Sequence, residues 1–143
     1  MRSRDALEAP EALALTMVLV SAADGGMSDR EIGVMAGQVQ TLPVFRDFTT
    51  EQFRIVTDAA VHLLNEEDGL QQAARLMRGA LEPRLRETAY ALACEVVAAN
   101  PVTQQRTLEM LEFVRIELHL DPLVATAIER GVRARHQRAE PAT

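Results

Sequence analysis

Helix boundaries are written into this chain more plainly than any other feature, and they leave room for little besides helices. Pro10 with Glu11 opens an apolar run, and Asp24-Gly25-Gly26 closes it with residues that tolerate left-handed backbone. Ser28-Asp29-Arg30-Glu31 fits a capping box and starts a second helix through Ile32, Met35 and Val39, which Leu42-Pro43 breaks. A third begins at Thr49 or Thr50 with Phe53, Val56, Ala60 and Leu63 on one face. A fourth follows Asn65-Glu66-Glu67-Asp68-Gly69, with Leu70, Ala74, Met77 and Leu81 on one side. Pro83 opens a fifth that runs to about Ala99, where Asn100-Pro101 stops it. A sixth covers Thr103 to Leu118 with Leu111, Val114 and Leu118 inward, and Asp121-Pro122 starts a seventh through Val124, Ile128 and Val132. No segment alternates with period two over strand length, so the sequence predicts an all-α bundle of about seven helices.

The first and fifth helices are apolar nearly all round, as helices are when neighbours cover every side, and they should form the centre of the bundle. They also match each other. Ala22-Ala23-Asp24 lies above Ala98-Ala99-Asn100, and Val20 above Val96, at a constant offset, and each copy runs through a short polar turn into an amphipathic helix. A helix-turn-helix duplication accounts for this.

With 143 residues, 48% hydrophobic and 25% charged, the chain suits one domain, with a core from about residue 10 to 136 and a frayed polar tail from 137 to 143. An aromatic content of 3% without Trp leaves Leu, Val, Met and Ala to fill that core. A net charge of -6 argues against a duplex nucleic-acid partner, which is held by neutralising phosphates with a basic face. Arg130, Arg133, Arg135 and Arg138 form the one basic cluster. It suits the C-terminal dipole of the last helix; the alternative is an anionic partner or membrane surface.

The single cysteine, Cys94, lies in an apolar helical run and is expected to behave as a buried hydrophobe without catalytic use. Met1 to Pro10 lacks the apolar stretch of a secretory signal, and Ala12 to Ala23 is too short to span a bilayer, so a cytoplasmic protein that is not an integral membrane protein is expected.

The stretch from Val20 through Asp24-Gly25-Gly26 to Ser28-Asp29-Arg30-Glu31 resembles the signature of the TerB and TerB-like tellurite-resistance proteins, in which an apolar helix ends in Asp-Gly and a Glu follows about two turns later. Ala98-Ala99-Asn100-Pro101 through Leu118-His119-Leu120-Asp121-Pro122 resembles the second copy of that motif. The resemblance implies a compact all-α fold, a non-enzymatic role in bacterial tellurite and stress resistance, and partners that include membrane-bound proteins. It also implies a divalent metal ion held by acidic loop residues. Asp24 and Glu31 hold the acidic positions of copy one, whereas copy two reads Asn100 and Thr107 there, with Pro101 in place of Gly25.

Asp24 and Glu31 from the resemblance, and Glu95 as a carboxylate inside a buried helix, are the candidate metal ligands, and each has a competing structural account. Asp24 before two glycines makes a turn and caps backbone donors through its side chain. Glu31 is the return arm of a capping box from Ser28. Glu95, inside the fifth helix, needs a partner for its charge, and Arg115 on the next helix is the expected one. Asp58, His62 and Glu66 fall on one face of the third helix at a spacing that suits Zn²⁺, though exposed residues so placed are more often solvated. His119 and His136 have no nucleophile near them in sequence, and no Gly-rich phosphate loop is present.

Three functions remain distinct on these grounds. One is a TerB-like stress-response protein that binds a partner and an ion through the turn from Asp24 to Glu31. Another is a scaffold of the same fold without the ion, binding protein partners or a second copy of itself through the sixth or seventh helix. The third is a metal-dependent enzyme, which requires Asp58, His62 or Glu95 to meet Asp24 in one pocket.

Overall fold

The computed structural model describes residues 6 to 141 and holds seven α-helices with no strand among them. They are α1 (Ala9–Ala22), α2 (Asp29–Thr41), α3 (Thr50–Leu64), α4 (Gly69–Ala80), α5 (Pro83–Ala98), α6 (Gln105–Glu117) and α7 (Pro122–Arg135), with a short 3₁₀ turn, Pro43–Phe45, after α2. The tail carries no helix from Gln137 to Pro141, while Ala142 and Thr143, and Met1 to Asp5 at the other end, lie outside the described residues.

Local chemistry places most of the starts where the sequence predicts them. Ser28 and Thr49 each accept from the backbone N–H three residues on, and Glu31 and Gln52 return the bond to the cap residue's own N–H. Asp121 accepts from the Leu123 N–H at 2.8 Å ahead of Pro122. The turn after α1 is closed differently from expectation. The Gly25 N–H donates to the Ala22 carbonyl at 3.1 Å, with Gly25 at a φ of 106°, and the Asp24 carboxylate makes no hydrogen bond among the described residues. Backbone geometry alone makes that turn.

α1 is buried without interruption from Ala12 to Ser21, and α5 buries Ala89, Tyr90, Leu92, Ala93, Cys94, Val96 and Val97. α1 and α5 pack on each other and form the centre, with α3 and α4 against α1 and α7 against α5. α1 also packs on α6 and α5 on α2, the reciprocal pairing that a two-fold-related duplication produces.

Two tight fits fix the periphery. A Cβ on Gly69 would fall 2.0 Å from the Leu63 carbonyl oxygen, so the start of α4 can pass the end of α3 only as glycine. The Arg86 guanidinium donates to the carbonyl oxygens of Leu81 at 2.8 Å, Arg78 at 3.1 Å and Leu118 at 3.4 Å, satisfying the C-terminal ends of α4 and α6 together.

The inward stripe of α2 begins at an acid rather than at Ile32. Ile32 is 43% exposed, and the buried positions are Glu31, Met35 and Val39, four apart. The side chain that faces the core at the first turn is thus an acid, held there by the capping box and by a neighbour from the other half of the duplication.

Candidate functional site

That neighbour is Asn100. Glu31 is 2% exposed, and both of its carboxylate oxygens are occupied. One accepts from the Ser28 backbone N–H at 2.7 Å; the other accepts from the Asn100 side-chain amide at 2.8 Å. Ser28 closes the ring by donating its hydroxyl to the Asn100 amide oxygen at 3.4 Å. The other side differs: Thr107, the counterpart of Glu31, is buried, and Asp24 lines a recess with Gln104, Gln105 and Arg106 at the start of α6 without a hydrogen bond from its carboxylate among the described residues. Of the four positions, the structure pairs Glu31 with Asn100 and leaves Asp24 beside the start of α6.

The acidic pattern that the resemblance implies is altered at this junction. An aspartate at position 100 would set two carboxylates in contact and call for a cation between them, whereas asparagine supplies an N–H donor in its place. Asp24 is exposed, with a guanidinium-bearing residue, Arg106, in its recess. Among the described residues no group of three or more His, Cys, Asp or Glu side chains comes together in a way that could hold a metal ion.

Glu95 lies elsewhere, and its partner corrects the expectation. Its side chain, 15% exposed, accepts from Arg135 Nε at 2.7 Å and lies 2.7 Å from His136 Nε2. Arg115 turns instead to Glu112 on its own helix, at 3.4 Å. Helix α7 packs back on α5 so that its last turn reaches Glu95, a relation between residues 40 apart that helical periodicity does not reveal. One arginine of the basic cluster is absorbed in this way, and Arg138 pairs with Glu140 at 2.9 Å.

Asp58 pairs with Arg54 at 3.6 Å on the exposed face of α3, where Arg54 also bridges to Glu51. Asp58, His62 and Glu95 have no part in the recess of Asp24. The pocket that an enzyme reading requires is not formed by these residues.

A second concavity was not legible in the sequence. α6 and α7 both pack on α5, and a cleft of about 690 Å³ opens between them. Its floor is Tyr90, Cys94, Val97 and Ala98 from α5, with Leu111 and Val132 beside them. Leu108, Glu109, Glu112 and Arg115 stand on the α6 side, Glu129, Arg133 and His136 on the α7 side.

Tyr90 is 2% exposed and donates its hydroxyl to the Glu129 carboxylate, so that a charged group of α7 is anchored at the base of the cleft. Burial first, then the bond to Glu129, hold the Tyr90 hydroxyl well above its ordinary range. Burial, followed by the nearby Glu129 charge, pushes the Cys94 thiol up to about 12. Cys94 is therefore a neutral, weakly nucleophilic lining group, as its apolar setting in the sequence suggests.

No described helix is long and apolar enough to cross a membrane. Among protein-family models, curated proteins and solved structures, none matches this chain.

Proposed function

We propose that this chain is a TerB-like, non-enzymatic protein of a bacterial tellurite-resistance or related stress response that works as an interaction scaffold for a protein partner. In this reading the ion position implied by the resemblance is closed by a side-chain hydrogen bond. The observation that carries it is the bond from the Asn100 amide to Glu31, 2.8 Å long and buried at the junction of the two helix-turn-helix copies. A carboxylate whose two oxygens are both satisfied by N–H donors gains little from a cation, and losing those donors would cost about 1–3 kcal/mol.

The reading has two tests. Calorimetric titration of the metal-stripped protein with Ca²⁺, Zn²⁺ and Mn²⁺ should give no stoichiometric heat; a heat that vanishes in Glu31→Gln would return the ion to the site. Deleting the chain's own gene should lower survival under tellurite or oxidative stress, and Glu31→Gln should complement as well as the parent. Unchanged survival on deletion would remove the stress-response role.

A further inference from the structure

The cleft between α5, α6 and α7 stands apart from the Glu31–Asn100 junction, and its charges are not balanced from within. Glu129 is partly buried at its base with one oxygen occupied by the Tyr90 hydroxyl and the other without a partner among the described residues. Two guanidinium groups share the cleft, and among the described residues neither pairs with Glu129: Arg115 is drawn to Glu112, and Arg133, one turn along α7, has no ion pair there. His136 is bound to Glu95. A half-buried carboxylate with one oxygen still open can accept from a ligand that brings a cation. The volume, about 690 Å³, lies inside the roughly 300–1,000 Å³ range of small-molecule sites, and an aliphatic strip of Val97, Ala98, Leu111 and Val132 lies among charged and polar side chains from α6 and α7.

We propose that this cleft is a binding site for an organic cation, a protonated amine on an apolar body. The ammonium group sits against the free oxygen of Glu129, and the body lies over Val97, Leu111 and Val132. Tyr90 is a positioning residue: its hydroxyl fixes the carboxylate so that no ordering of Glu129 is needed when the amine arrives. Glu109 and Glu112 on the facing helix leave the lining with three carboxylates to two guanidinium groups, a balance that favours a cation over an anion.

The test is a two-dimensional amide NMR titration of the full chain with n-hexylammonium, against hexanol and hexanoate as probes of equal length and different charge. The amine should give saturable shifts confined to α5, α6 and α7 around the cleft, with affinity about tenfold or more above either control. Glu129→Gln, whose amide oxygen still accepts from Tyr90, should weaken the amine about tenfold and leave hexanol unchanged. Ala98→Phe, filling the floor, should weaken both. Equal binding of amine and hexanol would mean that only apolar area is recognised. Tighter binding of hexanoate would assign the cleft to its arginines, and the absence of saturable shifts with all three would remove the site. Each of these outcomes overturns the proposal, and because the probe series is run on the parent chain, it does so whether or not a variant folds.

Discussion

The side-chain amide of Asn100 donates to the buried carboxylate of Glu31 across 2.8 Å, tying the turn after α5 to the first turn of α2. The bond joins the end of the first helix of one copy to the start of the second helix of the other, so a one-atom change there tests the junction directly. Asn100→Asp replaces the donor by a second carboxylate and should lower stability by about 2 kcal/mol at neutral pH. Millimolar Ca²⁺, Mn²⁺ or Zn²⁺ should restore part of it in the variant alone. Urea unfolding with and without each ion measures both effects, and a variant as stable as the parent would show that the bond contributes nothing.

The last turn of α7 is held to α5 by Glu95 through Arg135 and His136. Arg135 is 69% exposed, so solvent screening discounts the pair, and Glu95→Gln should cost about 1 kcal/mol or less of global stability. The local effect should be larger: amide hydrogen exchange should quicken near Val132 to His136 and stay unchanged in α1. Uniform protection along α7 in the variant would show that packing against α5 is sufficient.

Alkali should weaken the fold in a stated window. The Cys94 thiol moves from an ordinary value of 9.0 up to about 12 on folding, and Tyr90 is raised as well. Both groups keep their protons longer in the folded chain than in the unfolded one. The stability they contribute is fully present below pH 9 and falls as the pH rises towards 12, by at most about 1.4 kcal/mol per pH unit for each group. Denaturant unfolding between pH 8 and 11 should show a shallower decline in Cys94→Ala; identical slopes would rule out Cys94 as a contributor.

Gly69 should not tolerate even a methyl group. With the added Cβ 2.0 Å from the Leu63 carbonyl oxygen, α4 must shift away from α3, and Gly69→Ala should cost about 3 kcal/mol. Gly26→Ala, where nothing lies within 4 Å of the new atom, is the matched control and should be close to neutral. Equal melting temperatures for the two variants would refute the close approach.

The helices and their order were legible because their signals are local. Ser28 with Glu31, Thr49 with Gln52, and Asp121 with Pro122 satisfy backbone groups within three residues, so the chain carries each start within itself. The centrality of α1 and α5 was legible too, since only helices covered on all sides remain apolar all round. The inward turn of Glu31 was not legible, because Asn100, the side chain that meets it, comes from the other half of the chain. Glu95 misled for the same reason: Arg115 is the nearer cation in sequence, but the packing of α7 on α5 delivers Arg135 and His136.

What the sequence by itself determined is therefore the set of helices, their lengths and the two that must be buried, all consequences of capping and periodicity within a few turns. Only the tertiary structure decided which carboxylates are satisfied, which one is left without a cation, and where a cleft opens. Glu31 and Asn100 are 69 residues apart, and Tyr90 and Glu129 are 39 apart. Contacts at such distances depend on how helices cross, which the sum of many weak packing contacts sets and no single local signal announces.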